Sequence, residues 1–565
     1  MPIRDLSSST EAFIQINAEY CVIGGGMAGL FIARRLAKAG RRVVVLESGK
    51  AAFEEQSHAL NAIVDVHGRY SRALDGRYRG LGGSSSRWGG RLVPIYGEDC
   101  APRPHLNLPG WPFPHAQLER YQEEIETVFG LPHGPFGVEA LHDLGLDSAF
   151  SSADPDFTGR MAKWINYRQC NLATVWRAEL ERLDALDIWL DATVTAFDFD
   201  TAQSRLKAVE ARSFNGQTVR VTADRVVLAA GTIESTRLLL WLDAQTGGHA
   251  FAGSTALGRY FQDHLKAEVA TVGRRDLNMG NRLFGYHYVD GARRSLHLDF
   301  TTRAQRETDS TSAFVYAAMD LSNSRLSRIK TVARGIQRGQ VGIKDLGALV
   351  GELPLVARSA FWRLTKHQVY MPSSVRLGLQ IAIEQRPDWD NQITLSAELD
   401  TMGMPKAAVH WRPRAADEQT FRSVAERLRR YWTRSHFDDD YPLDWLVDET
   451  SPMGFTALAE AYAHPSGSAR MGTNPKDSVV GPDLVCHGVG NLSVASAAVF
   501  PSAGSANPTL TILQLALRHA DHLLEAPHGR KVSVQTSIYA SSNSLAAEST
   551  PLSASATQAT SASVI

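Results

Sequence analysis

Residues 18–49, AEYCVIGGGMAGLFIARRLAKAGRRVVVLESG, restrict the fold of this chain more than any other stretch. Cys21, Val22 and Ile23 form an apolar run suited to a buried parallel strand, after which the chain turns on Gly24, Gly26 and Gly29. Leu30, Ala33, Leu36 and Ala37 then recur at helical spacing, and a second apolar run, Val43 to Leu46, ends on Glu47. This is a βαβ unit. Gly24 permits the tight turn, Gly26 lets backbone approach a pyrophosphate, and Gly29 lets the helix pack on the strand. The helix N-terminus, with Met27 and Ala28, then faces the phosphate charge. Glu47 stands about 20 residues beyond the glycines, where an acid accepts hydrogen bonds from ribose hydroxyls, with Ser48 beside it. The unit predicts a dinucleotide site and leaves FAD and NAD open.

A chain of 565 residues is long for one compact core and predicts two or more lobes. A net charge of −1 provides no global field for nucleic acid, so small-molecule chemistry is the default. Cys21, Cys100, Cys170 and Cys486 are scattered without a CxxC pair and read as free thiols, with neither a disulfide framework nor a zinc site. The first twenty residues lack the apolar core of a signal peptide, and no run of 18 apolar residues follows, which predicts a soluble, cytoplasmic chain. From residue 529 onward, and above all from Ser541 to Ile565, Ser, Ala and Thr dominate, a composition expected to stay disordered.

The segment RGLGGSSSRWGGR, Arg79 to Arg91, places Gly82, Gly83, Ser84, Trp88, Gly89 and Gly90 a short distance after the βαβ unit. Its glycines leave backbone N–H groups unshielded, its serines add hydroxyl donors, and Trp88 offers an aromatic face, a combination suited to a flavin or its phosphates. Here the chain resembles the glucose-methanol-choline (GMC) oxidoreductase family of FAD-dependent enzymes, sugar- or polyol-oxidising type. In that family a Gly-Gly-Ser/Thr-Ser motif at this position runs under the flavin, and members that attach FAD covalently carry a His just before the position of Trp88. Arg87 stands there, which implies non-covalent FAD.

The resemblance continues through RVVLAAGTIESTRLLLWL, Arg225 to Leu242, a buried strand, a turn at Ala230 and Gly231, and a helix. By the resemblance, the strand around Val194 borders the adenine and the Ala230–Gly231 turn approaches the pyrophosphate. Asp263 and His264, in GRYFQDH, are expected to serve structure. Between Lys266 and Ser451 short alternating runs, LHLDFTT, AFVYAAMDL, RLGLQIAIEQ, NQITLS and AAVHWRP, predict a largely antiparallel sheet flooring a substrate cavity. Within it, residues 325–366 carry nine Lys or Arg against two acids, interleaved with apolar runs. Such a stretch suits peripheral membrane or partner contact, or a solvated cover, with Pro354 interrupting any long helix.

The chemistry concentrates in His464 to Leu524. HPSGSARMG sets His464 before a small-residue turn, and a strand through Ser496 and Ala497 leads to Asn507, Pro508 and Thr509 at the start of an apolar-faced helix. That N-terminus suits the negative end of a reduced flavin. His464 and Asn507 match the two active-site segments of the family, which implies alcohol oxidation by hydride transfer to flavin N5. His464 would act as general base and Asn507 would orient the substrate oxygen. With a pKa near 6.5, His464 alone is expected to set the pH dependence. Many members carry an acid where this chain has Ser496, a substitution the helix dipole and backbone would offset.

The fold expected is α/β, an FAD-binding Rossmann-like doubly wound domain with an α+β substrate domain built on an antiparallel sheet. Residues 15–100, 160–265 and 455–528 would form the first, and 101–159 and 266–454 the second. The donor expected is a small-molecule alcohol, on a sugar, glycoside or polyol; oxygen, a quinone or a protein could accept the electrons. A non-redox flavoprotein lyase of the same fold and a flavin-binding scaffold remain open.

Overall fold

A computed structural model describes residues 2–71, 73–322, 324–327, 352–447 and 454–525. The apolar runs at the start of the chain enter a nine-stranded sheet. Phe13–Ile23 pairs in parallel with Val43–Leu46 on one side and Thr218–Leu228 on the other. Leu186–Leu190 and then Ile3–Asp5 extend the first side, and Val489–Val494 extends the second. Every residue of Val43–Leu46 is buried, the near-continuous apolar signature of a parallel strand covered on both faces. A hairpin, Thr193–Asp200 and Arg205–Arg212, adds antiparallel strands beside the amino-terminal half of Thr218–Leu228.

The register brings the site together. Ile23 lies opposite both Leu46 and Leu228, and Leu228 opposite Val494, so four strands end at one level. The turns that follow them, at Gly24, Glu47, Ala229–Gly231 and Ala495–Ser496, share the carboxyl edge where open α/β sheets bind ligands. Behind this edge the helices Met27–Lys38 and Thr509–Glu525 pack together through Leu30, Phe31, Leu513 and Leu517. An ion pair of 2.6 Å from Arg35 Nε to Asp521 Oδ1 reinforces the contact.

A second nine-stranded sheet has as its main path Leu443–Trp445, Leu265–Val272, Arg376–Ile383, Ala313–Asp320, Ala292–Phe300, Phe157–Trp164 and Arg91–Leu92, in that order. Every pairing along it is antiparallel. The twenty-residue helix Ala415–Arg434 packs Phe421, Val424, Leu428 and Trp432 into the same core as these strands. No sequence expectation covered that helix, although its apolar residues recur every three or four positions.

One reading needs correction. NQITLS and AAVHWRP do not join the large sheet: Gln392–Leu399 and Pro405–His410 pair with each other, and the latter pairs in parallel with Ile63–Asp65. Pro354 stands at a helix start, so no described helix runs through it. It sits in the first turn of Leu353–Phe361, where a missing N–H leaves nothing unsatisfied, and a π-helical turn, Trp362–Lys366, carries on from there. Most of the basic stretch, residues 328–351, and the whole tail from 529 lie outside the described residues. Cys21, Cys100, Cys170 and Cys486 are buried and unbridged. Among the described residues no helix is long and apolar enough to cross a membrane.

Candidate active site

A cleft of about 660 Å³ opens at the shared carboxyl edge and runs between the two large sheets. Its walls begin with two glycine loops in backbone contact. Gly82 N donates to Gly25 O at 2.8 Å, and a Cβ on Gly83 would lie 2.7 Å from Gly26 Cα. Glu47 ties these loops down: Oε2 accepts from Gly25 N at 2.7 Å, and Oε1 accepts from Gly49 N and Gly80 N, both at 2.9 Å. Its carboxylate therefore serves three backbone amides as well as lining the cleft, and burial raises its pKa above the usual value. The helices Met27–Lys38 and Thr232–Gln245 start at Gly26 and Gly231 without a side-chain cap, leaving first-turn N–H groups for an anion.

Most residues expected at a cofactor line this cleft: Gly24, Gly26, Met27, Ala28, Glu47, Ser48, Gly83, Ser84, Trp88, Gly89, Gly90, Val194, Ala230, Gly231, Ser496, Ala497, Pro508 and Thr509, with His464 and Asn507. Gly29 and Gly82 do not. A Cβ on Gly29 would run into the Gly24 carbonyl oxygen, so its task is packing, while Gly82 turns the chain with φ +89°. The Ser496 hydroxyl accepts from Ala498 N and caps a short turn. Arg77 and Arg79 also line the cleft, and Arg79 reaches Ser48 Oγ at 2.9 Å. Sequence reasoning missed both, and the signal was their position just before the glycine loop. Asn61 Nδ2, Thr193 Oγ1 and Asn507 Oδ1 are buried in the cleft walls without a hydrogen-bond partner, as expected of a site shaped for a ligand rich in donors and acceptors. The glycine cradle, uncapped helices and orphaned polar atoms fit an extended dinucleotide.

At the far end stands His464, clamped by the segment expected to be merely structural. Asp263 Oδ1 accepts from His464 N at 2.8 Å and Asp263 Oδ2 from Tyr70 Oη at 2.7 Å. The ring is held at both nitrogens, with Nδ1 2.9 Å from His264 Nδ1 and Nε2 3.1 Å from Asn507 Nδ2. His264 Nε2 lies 2.7 Å from the Gly504 carbonyl, which can only accept, so that nitrogen carries the proton. A neutral His264 then presents Nδ1 as an acceptor. His464 Nδ1–H donates to it, and the lone pair of His464 falls on Nε2, facing the amide of Asn507. Burial pushes His464 well below its ordinary pKa, with further lowering from His264, Arg91 and Lys266, and burial takes His264 to about 4. Asp263 moves the other way, up to about 7, also through burial. Both imidazoles are thus neutral at pH 7. A neutral imidazole whose unprotonated nitrogen stands beside an amide can take a hydroxyl proton once a donor displaces that contact.

Residues 387–516, which hold both His464 and Asn507, match the family profile described as GMC oxidoreductase. Residues 19–264 match the one described as FAD dependent oxidoreductase. The chain carries a GMC oxidoreductase domain. FAD is accordingly its cofactor, and the cleft has the walls to hold it. Fructose dehydrogenase large subunit of Gluconobacter japonicus is 27% identical over 349 residues, a match spanning 59% of this chain and 53%, about half, of that protein. The 2-methyl-1,2-propanediol dehydrogenase of Mycolicibacterium austroafricanum is 23% identical over 564 residues, covering 89% of this chain and 94% of the other. Among solved structures, pyridoxine 4-oxidase from Mesorbium loti superposes with a TM-score of 0.58 at 16% identity, over 91% of this chain and all of the other, a likeness of fold.

Proposed function

We propose that this chain works as a GMC oxidoreductase and oxidises a CH–OH group of a polyhydroxylated small molecule, a sugar, glycoside or polyol, using non-covalently held FAD. The observation that carries the reading is the lone pair of His464 Nε2, fixed beside Asn507 at the end of a dinucleotide-shaped cleft. Two relatives are dehydrogenases named for fructose and for a diol, which supports a polyhydroxylated donor. Arg87, over the rings of Phe53 and Tyr78 at 4.4 and 5.2 Å, stands where covalent members carry histidine, in keeping with non-covalent FAD. In this reading residues 15–100, 160–265 and 455–528 hold FAD, and 101–159 with 266–454 hold the donor.

Bound FAD supplies a two-electron hydride acceptor. The chain supplies the rest. His464 Nε2 accepts the hydroxyl proton, which makes the carbinol carbon a better hydride donor. Asn507 holds the oxygen as charge develops on it, and the helix beginning at Thr509 turns its positive end toward the same region. His264, anchored to Gly504, keeps His464 in the productive tautomer. The electron acceptor in this reading is oxygen, a quinone or a protein. Residues 325–366 are a candidate contact for a membrane or partner, and their described part exposes Leu353, Phe361 and Leu364.

The test is an anaerobic visible spectrum of the purified protein before and after adding sugars, glycosides, polyols and simple alcohols. The reading expects a flavin spectrum that a polyhydroxylated donor bleaches, and admitting air or a quinone then distinguishes the acceptors. Flavin that no donor reduces would return weight to a lyase or scaffold.

Two further results are expected. The pH profile of kcat/KM has no acid limb at 6.5: with its pKa depressed, His464 stays neutral there and is lost as a base only well below that pH. A second inflection near pH 7 comes from Asp263, which ionises beneath the His464 backbone as pH rises. Sequence alone assigned the profile to His464; burial of its neighbours adds the second group. His264→Ala removes the acceptor for His464 Nδ1–H and is expected to lower kcat about 10²-fold, moving the acid limb upward as the site hydrates. His264→Asn, which can still accept that hydrogen bond, is expected to recover part of the loss.

A further inference from the structure

Arg91 is a buried cation at the substrate end of the cleft, 9% exposed, whose hydrogen-bond partners are neutral. Nη1 meets His297 Nε2 at 3.2 Å and Nη2 donates to Tyr462 Oη at 2.7 Å. Its guanidinium carbon lies 5.2 to 5.7 Å from the ring centroids of Trp164, Phe314, Tyr316 and Tyr462. Arg160, Arg103 and Arg237, also buried, have a carboxylate at hand, Asp299 at 2.6 Å, Glu384 at 2.5 Å and Glu234 at 2.8 Å; Arg294, buried with its Nη1 on the Pro135 carbonyl at 3.0 Å, is not in the cleft. Among the described residues no carboxylate pairs with Arg91.

A desolvated charge without a counter-ion is costly even among aromatic faces, and a guanidinium fork matches carboxylate and phosphate oxygens two at a time. The acids lining the cleft do not meet the need. Glu47 is held by backbone amides, Glu234 by Arg79 and Arg237, and Asp75 is exposed. Arg91 is also close to the reacting end. Tyr462, whose hydroxyl it binds, has its ring centroid 4.8 Å from that of His464.

We propose that the natural donor is an anionic polyhydroxy compound, a sugar acid or a sugar phosphate, whose anionic group pairs with Arg91 while its reacting hydroxyl meets His464. This rests on the reading of the cleft as an alcohol-oxidising site and adds the charge of the donor to it. Trp164 and Tyr316 offer flat faces for the C–H side of the sugar.

The experiment compares kcat/KM for matched donors, an aldonate and a uronate against the neutral polyol and methyl glycoside, and a hexose 6-phosphate against the free hexose. It uses the flavin-loaded wild type, Arg91→Gln and Arg91→Lys. The wild type is expected to favour one anionic series about 10- to 100-fold, and which series wins separates carboxylate from phosphate. Arg91→Gln is expected to erase the preference through KM, and Arg91→Lys to keep part of it. Flavin content checks the fold of each variant, and the wild-type ratio stands if a variant fails to fold. Turnover of neutral donors as good as or better than anionic ones would overturn the proposal and leave alcohol oxidation intact. An equal fall in kcat for every donor in Arg91→Gln would also overturn it. Absence of reduction by any donor would sink both.

Discussion

His464→Ala is expected to slow reduction of the bound flavin by an alcohol donor by about 10²- to 10⁴-fold, the usual contribution of a positioned general base. The ring is held by His264 on Nδ1 and Asn507 on Nε2, so its removal takes away a proton acceptor that no neighbour replaces. His264 has its Nε2 committed to Gly504 and a pKa near 4, and Asp263 faces the backbone amide of residue 464. Flavin content and melting temperature should change little, because the loop is clamped by backbone contacts: Gln262 N donates to Ser466 O at 2.9 Å and Ser466 N to Gln262 O at 2.8 Å. Anaerobic single-turnover reduction, read at the flavin absorbance, measures the loss. Reduction within a few-fold of wild type would mean that another group takes the proton.

Gly29→Ala is expected to have the largest effect on the fold, costing about 3 kcal/mol or more and abolishing flavin retention. The new Cβ would collide with the Gly24 carbonyl oxygen, which has nowhere to go: Gly24 sits at φ +105°, with its own Cβ direction blocked by Ala229 O at 2.7 Å. Relief would require the helix Met27–Lys38 to lift off the strand, opening the contact with Thr509–Glu525 behind it. Gly253→Ala, where a Cβ meets nothing within 4 Å, is the control and should be neutral. Thermal melting and flavin absorbance of the purified variants make the comparison. A Gly29→Ala protein that melts with the wild type and stays yellow would refute the packing argument.

What the sequence revealed depended on how local the chemistry was. Gly24, Gly26 and Pro508 have tasks set by neighbours within a few residues, and their turn, helix start and position at the cleft follow from residue type alone. Pro354 was legible as a break in any long helix, and the structure adds that a helix starts there. The pairing of Pro405–His410 with Ile63–Asp65 joins segments more than 300 residues apart, which no alternation pattern encodes. His264 was passed over for a related reason: its partners, His464 and Gly504, arrive from distant loops. Arg91 was hidden at the end of a glycine-rich run and becomes conspicuous once burial removes water and no acid replaces it. The pKa of His464 is likewise a property of burial rather than of the residue.

The most direct test of the account is anaerobic stopped-flow mixing of the flavin-loaded protein with a donor it oxidises, compared with the same donor deuterated at the carbinol carbon. Hydride transfer from a C–H bond, with His464 taking the hydroxyl proton, predicts rapid bleaching of the flavin, a normal primary isotope effect on its rate, and a much slower trace in His464→Ala. Flavin that stays oxidised at saturating concentrations of every alcohol, or that bleaches equally fast in His464→Ala, would contradict it.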